Sequence, residues 1–502
     1  MSGQALFPSV RGMNQRLLWW LGTALLLLAV HTDWNVPLAA WVFPIFLLHY
    51  ARRAPLRRAV LMVGLSLLIG QVFWLGGTGL LFVLPALLAF TLLVLLQTTA
   101  FAADRLLAER AGPVGTLVFP VTLVAGEYLF TLITGFGDFG ALGSTQSGNL
   151  PLLQVASVTG VYGLTFVLAW FASVVNSGWT EGWPQVKRSI LVHVCLVVVV
   201  FAAGGARLLF DAPTTRTVRI AGISPAAEAD RASSDALERI GVKYWRAQEV
   251  SAADPAAVGA AFAPVTEDLV SRTRRQASAG AKIVVWPETH ARVLERDQAA
   301  LLDRVGAEAK QAGIHVALAY ALYTAQAPYI RNVAVLVDPS GEVRWTYDKT
   351  HPTPMEPMTP GSGVVPTADS PYGRLATVIC YDADFPDLAR QAADKDTALL
   401  LVPANDWAGF ATLHAEKVTF RAVESGFPVF RQATHGISTA VDSQGRVLGK
   451  ADYFRTDQQT LVADLPVQPR THTVYGTIGD VFAWLCLAAA VLCPLWTYRR
   501  NR

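Results

Sequence analysis

The chain has 502 residues, more than one ordinary domain holds. Charged residues make up only 16%, against roughly 25% in soluble proteins, mean hydropathy is +0.36 and net charge is +3. These values exclude a single soluble domain and give no sign of a basic nucleic-acid-binding face.

The apolar excess is uneven. It fills Leu17–Leu209 and returns at Val481–Trp496, while Asp211 to Tyr475 has ordinary soluble composition. A bilayer-spanning helix needs roughly 20 mostly apolar residues. Apolar runs predict spans near 17–30, 36–50, 59–75, 79–102, 116–133, 152–176, 189–209 and 475–497. The first two are short and read either as tilted spans or as one re-entrant pair. No small-residue cleavage site follows the first run, so it is not read as a removed signal peptide.

Basic residues in short loops set orientation. With the N-terminus inside, the inner segments carry Arg11, Arg16, Arg52, Arg53, Arg57, Arg58, Arg105, Arg110, Lys187, Arg188, Arg499, Arg500 and Arg502. The outer loops near 31–35, 76–78 and 134–151 carry none. Only Arg207 runs against the pattern, at a flank where it can snorkel. Both termini are therefore expected inside and the soluble segment outside. The expected organisation is a transmembrane bundle over 1–210, a soluble domain over 217–467, a last span over 475–497 and a cytoplasmic tail over 498–502. Glu127 lies within the fifth apolar run. It is either a functional intramembrane carboxylate or a buried hydrogen-bonded one.

In the soluble segment, β-rich runs alternate with helical ones. Strands are predicted at 218–223, 282–286, 315–321, 332–338, 343–347, 375–380, 398–403, 436–442 and 460–466. Helices are predicted at 234–248, 256–279, 297–312 and 412–425. Continuous apolar strands between helices imply buried sheets covered by helices. The segments Asp338-Pro339-Ser340-Gly341 and Asp442-Ser443-Gln444-Gly445 read as hairpin turns. Tandem repeats, a phosphate loop, a dinucleotide fingerprint and zinc-ligand spacing are all missing from the sequence.

Three strand ends carry candidate chemistry. Glu288 closes Trp286-Pro287-Glu288, Lys349 closes Tyr347-Asp348-Lys349, and Cys380 lies in Ile379-Cys380-Tyr381-Asp382. Of four cysteines, Cys195, Cys486 and Cys493 lie in apolar runs. Cys380 alone lies in the soluble part, which leaves it a free thiol rather than part of a disulfide framework. Each motif alone has a bland reading: a surface carboxylate, a solvated lysine, a buried inert cysteine.

Together and in this order, the three motifs resemble the nitrilase (carbon–nitrogen hydrolase) superfamily over roughly 217–467, with supporting matches at Pro403-Ala404-Asn405, Phe420-Arg421-Ala422-Val423-Glu424 and Ile437-Ser438-Thr439. The whole chain is similar to apolipoprotein N-acyltransferases. The stretch from Glu127 through Gly160-Val161-Tyr162-Gly163-Leu164-Thr165-Phe166 carries that likeness in the bundle. The resemblance implies about eight spans and an α/β nitrilase-like αββα sandwich domain. It implies Cys380 as nucleophile, Glu288 as base and Lys349 as fixed positive charge. Glu356, Tyr381, Asp382 and Trp407 are implied as supporting or substrate-binding residues, with no metal and no cofactor. Glu356 also reads as a solvated loop carboxylate, and Trp407 as packing.

The implied partners are a phospholipid acyl donor, a lipoprotein acceptor and the bilayer, with no nucleic acid. The implied location is the bacterial inner membrane, with the catalytic domain on the periplasmic side. Asp382 stands where that family has glutamate and Ser224 where glutamine is common. A membrane-tethered amidase acting on another amide or amine, and a non-catalytic membrane scaffold, are the alternatives.

Overall fold

The computed structural model describes residues 14–30, 34–211, 216–456 and 460–500. Arg11, residues 31–33 of the first outer loop, and Arg502 in the tail lie outside the described residues. The chain divides into two compact units, Met1–Asp211 with Ile478–Arg502, and Ala212–Thr477.

The first unit is helical. Five helical segments among the described residues are long and apolar enough to cross a membrane: Leu56–Thr78, Leu84–Ala111, Val114–Ile133, Val161–Glu181 and Gln185–Phe210. Gln15–Ala29, Leu150–Thr159 and Val481–Leu492 are shorter apolar segments. Three expected spans have different limits. The run over 79–102 becomes Leu84–Ala111, because Gly79 takes a left-handed φ of 78° and caps the preceding helix. The run over 152–176 is broken at Gly160, whose φ of 66° no helix accommodates; the long helix starts at Val161. The run over 475–497 splits into Val474–Ile478 and Val481–Arg500 around Gly479, at φ 63°. Hydropathy is blind to all three interruptions.

Two buried charged groups inside this unit are paired. Arg52 makes two bonds to Asp104, Nε–Oδ2 at 2.8 Å and Nη2–Oδ1 at 2.9 Å, and donates to Ser177 Oγ at 3.0 Å. Glu127 is buried and accepts from the Leu142 N–H at 3.0 Å and from Thr165 Oγ1 at 2.8 Å. Those bonds tie the 142–146 turn to the helix Val161–Glu181, which favours the hydrogen-bonded reading of this carboxylate.

The second unit holds thirteen strands among the described residues. They are β1 (Thr217–Ile223), β2 (Ile283–Val285), β3 (Ala291–Leu294), β4 (His315–Tyr323), β5 (Ile330–Val337), β6 (Val343–Asp348) and β7 (Thr367–Ala368). There follow β8 (Arg374–Thr377), β9 (Thr397–Asn405), β10 (Val429–Thr434), β11 (Ile437–Val441), β12 (Val447–Asp452) and β13 (Thr460–Pro466). One sheet runs β13-β1-β2-β4-β5-β6 with β3 also on β4; the other runs β12-β11-β10-β9-β8-β7. Both are mixed: β1, β2 and β4 are parallel, as are β8, β9 and β10, with antiparallel strands at the margins.

The layering follows from strand alternation. Ile220, Ile283, Val285, Ala317 and Ala319 share one core with Leu375, Leu399, Leu401 and Phe430, so these faces of the two sheets meet. Ala221, Val284, Val316 and Leu318 point the other way, onto Val265 and Leu269 of the helix Pro255–Ser278 and Val305 of Gln298–Ala312. Ala376, Leu400 and Val429 likewise pack on Leu388 of Pro386–Asp394 and Val418 of Ala411–Ser425. The result is the expected αββα sandwich.

Both hairpin turns form, with Gly341 at φ 88° and Gly445 at φ 83° supplying the left-handed residue. Asp338 and Asp442 each accept two backbone N–H bonds across their turn. The helix expected over 234–248 is two pieces, Ala227–Arg239 and Ala247–Ala252, because Gly241 turns the chain at φ 73°. The strand expected over 375–380 stops at Thr377. The strand Val429–Thr434 and the helix Pro386–Asp394 were not anticipated.

Candidate active site

The C-terminal ends of β2, β6, β8, β9 and β10 converge on one polar cluster, at the edge where α/β sheets commonly build sites. Past β2, Pro287 ends the pairing, and the Glu288 N–H donates to Ala404 O at 3.3 Å. The Glu288 side chain is almost fully buried. Its Oε1 accepts from Asn332 Nδ2 at 2.6 Å and Lys349 Nζ at 2.8 Å, and its Oε2 accepts from the Asn405 N–H at 2.8 Å. Burial raises the Glu288 carboxyl above the ordinary range; Lys349 opposes this and Glu356 adds to it.

Lys349 follows β6 and is anchored by its own N–H to Asn332 O at 3.0 Å. Its ammonium lies between two carboxylates, 2.8 Å from Glu288 and 2.8–3.0 Å from Glu356. Glu356 is fixed in turn by the Thr353 N–H at 2.7 Å. Burial disfavours the charged lysine, but Glu288 and Glu356 outweigh it and hold the ammonium well above the usual lysine range. The solvated-loop reading of Glu356 is therefore displaced by a direct bond to Lys349.

Cys380 is not in a strand. It occupies the turn after β8 at φ 47°, a left-handed conformation uncommon for a non-glycine residue. The turn Cys380–Asp384 then feeds the helix Pro386–Asp394. Its Sγ lies 3.8 Å from Asn405 O and 3.6 Å from Asp406 Oδ1. Burial, then Glu288 and Asp406, push the thiol well above its usual value, while Lys349 and Arg431 pull it down.

Asp382 is fully buried, and its bonds explain how the turn is held. Oδ2 accepts from Tyr347 Oη at 2.8 Å and from the Thr350 and Ile379 N–H groups at 3.2 Å each; Oδ1 accepts from the His351 N–H at 2.7 Å. It links the Cys380 turn to the segment after Lys349, so its geometry is that of a brace. Tyr381 is buried with its ring edge-on to Phe385 at 5.1 Å. The half-buried Trp407 packs on Phe410 with ring centroids 4.7 Å apart.

Four further residues complete the cluster. Asn332 and Asn405 orient Glu288, and Asn405 Oδ1 also accepts from Thr434 Oγ1 at 3.2 Å and lies 3.0 Å from His435 Nδ1. Asp406 pairs with Arg431 at 2.6 Å. Asn405 stood in a recognisable motif. Arg431 had no sequence signal, because Val429-Phe430-Arg431-Gln432 reads as half polar while every residue of β10 is buried. A raised carboxylate, a fixed ammonium and a thiol in one buried cluster can support nucleophilic acyl transfer, with base, electrostatic stabiliser and nucleophile present.

Residues 18–174 match the apolipoprotein N-acyltransferase N-terminal domain family, and residues 254–473 match the carbon–nitrogen hydrolase family. The chain is 27% identical to an apolipoprotein N-acyltransferase of Geobacter metallireducens, across 86% of this chain and 82% of that protein. It is 24% identical to that of Allorhizobium ampelinum (95% and 83% covered) and 25% to that of Brucella melitensis (97% and 84%). An amidase structure from Nesterenkonia sp. aligns with 53% of this chain and 95% of its own, at 22% identity and a TM-score of 0.39. The chain is thus a divergent relative of the apolipoprotein N-acyltransferases, an acyltransferase-type membrane enzyme carrying a carbon–nitrogen hydrolase domain.

Proposed function

We propose that this enzyme moves a fatty acyl chain from a phospholipid, through a thioester on Cys380, to the α-amino group of the lipid-modified N-terminal cysteine of lipoproteins. The observation that carries the reading is Lys349 Nζ held between Glu288 and Glu356 in the cluster that contains Cys380. Glu288 takes the thiol proton as Sγ attacks the ester carbonyl. Lys349, with the Tyr381 N–H, stabilises the oxyanion. The lysolipid oxygen leaves with the proton from Glu288. In the second half-reaction Glu288 takes a proton from the attacking amine, and the amide forms as the thiol is restored. The names of the relatives support the lipid donor and the lipoprotein acceptor.

The catalytic domain is residues 217–467, outside the inner membrane on the periplasmic side, with 1–210 as a multi-pass bundle, a last span near the C-terminus and a cytoplasmic tail. The one-sided placement of arginine and lysine supports this orientation.

Mass spectrometry of lipoprotein N-termini with and without the protein tests the acceptor; identical free amino termini in both samples would remove it. Hydroxylamine-sensitive acylation of Cys380 tests the intermediate. Release of ammonia or free acid without lipoprotein acylation would instead support the amidase alternative.

A further inference from the structure

Cys380 feels two charged pairs. Glu288 and Lys349 act on it electrostatically, with Glu356 bonded to Lys349. The second is an ion pair outside the proposed catalytic set. Asp406 is the first residue past β9, and its N–H donates to Thr434 O at 2.9 Å across the parallel β9–β10 pairing. Arg431, inside β10, reaches Asp406 Oδ1 at 2.6 Å and donates through Nη1 to Ile437 O at 3.0 Å. Both side chains are shut off from solvent, at 1% and 0% exposure. The same Oδ1 stands 3.6 Å from Cys380 Sγ, an acceptor distance for S–H, with Asn405 O as second acceptor at 3.8 Å.

The pair is not a self-contained brace. Asp406 Oδ2 is buried with no hydrogen-bond partner among the described residues. Room for it exists because residue 436 is glycine; a Cβ there would come within 2.1 Å of Oδ2. A half-satisfied buried carboxylate is disfavoured unless it does something else. Here its satisfied oxygen is shared between a guanidinium and a thiol.

We propose that Asp406, held by Arg431, is a positioning residue that keeps resting Cys380 as a neutral thiol with its S–H turned away from Glu288. This rests on the reading of Cys380 as the nucleophile. When the donor ester arrives, the S–H rotates to Glu288, which takes the proton as the Sγ–C bond forms; the ester C–O bond then breaks and Glu288 returns the proton to the departing lysolipid oxygen. Asp406 neither gains nor loses a proton. The charged groups facing the thiol are Glu288 past β2, Lys349 past β6, Asp406 past β9 and Arg431 in β10, with Asp384 of the same turn acting on Arg431. Asp406 acts on the thiol in the direction the geometry requires, toward the neutral form, and more strongly than Arg431 opposes it.

The test is the pH dependence of Cys380 alkylation by iodoacetamide in the full-length protein in detergent, read by mass spectrometry of the Cys380 peptide. Asp406→Asn keeps the shape and removes the charge. Its alkylation profile is expected to move down by about one pH unit, which is about tenfold faster alkylation on the rising limb. Thioester formation from phospholipid is expected to slow in the same variant. A profile that stays put or moves up would overturn the proposal, whatever happens to activity. If Asp406→Asn fails to fold by thermal melting, Asp406→Asn/Arg431→Gln removes both charges, and a smaller downward shift is expected; no shift there also overturns it. Absence of any thioester on wild-type Cys380 would instead sink the proposed function, and the alkylation result would still decide the role of Asp406.

Discussion

Replacing Asp382 by asparagine tests whether this residue braces the Cys380 turn or faces a substrate. The carboxylate accepts four bonds, three at Oδ2 and one at Oδ1, and all four donors belong to the protein. Asparagine keeps one acceptor oxygen. Its best orientation leaves that oxygen at the Oδ2 position and turns an NH2 toward the His351 N–H. The loss of one bond to a charged acceptor is about 1.5–3 kcal/mol, and the two donors left facing each other without acceptors add about 1–3 kcal/mol. A combined loss near 3–5 kcal/mol is expected, since the site is fully buried. In a unit of this size each 1 kcal/mol lowers Tm by roughly 2–4 °C, so the domain should melt about 6–20 °C earlier. Tyr347→Phe removes one donor and leaves the carboxylate intact, so its loss should be about 1 kcal/mol. The assay is thermal unfolding of the purified full-length protein in detergent, followed by circular dichroism. A melt within about 2 °C of the parent, with a raised KM for donor or acceptor, would refute the bracing argument.

Other outcomes follow from the same geometry. Lys349→Met leaves Glu288 and Glu356 facing each other without the ammonium; thioester formation should fall by about 10²–10³ if lysine stabilises the oxyanion, measured in single turnover. Because burial raises the Glu288 carboxyl, its ionised form is lost as pH falls through a value above the usual carboxylate pKa of about 4.3. The acylation rate should therefore drop on the acid side at a pH above that value, and Glu288→Gln should erase the limb, leaving a low flat profile. In the bundle, Asp104→Ala strands the buried Arg52 guanidinium and should destabilise the protein by about 3–5 kcal/mol. The double variant Arg52→Met/Asp104→Leu should recover most of that in a detergent melting assay; equal losses in both would show that packing, not charge, matters there.

Much of the site was legible because its members end β-like runs. Glu288, Lys349 and Cys380 each follow a β-like run, and each still lies just past a strand in the fold. Arg431 was not legible: charge in a short run argues against burial, and its neutralisation depends on Asp406, 25 residues away in sequence and adjacent only after β9 and β10 pair. Asp382 looked like a pocket residue because it follows the cysteine, whereas three of its four bonds run to residues 31–35 positions away. The interruptions at Gly160, Gly241 and Gly479 are backbone events in composition that reads as continuous helix. Hydropathy averages over a glycine, while the left-handed φ it adopts is decided by what packs on either side.

Asn405 has a wider meaning for how reactivity arises in this chain. Its N–H reaches Glu288, carried by the sheet of β2 and β6, while its carbonyl faces Cys380 on its own sheet with β8. Glu288 and Cys380 therefore follow strands of separate layers, brought together by the apolar interface between the sheets. The glutamate–lysine pair lies on one layer and the thiol with its Asp406–Arg431 neighbours on the other. On the proposed mechanism, chemical competence is in this sense a property of the docked layers and of neither sheet by itself.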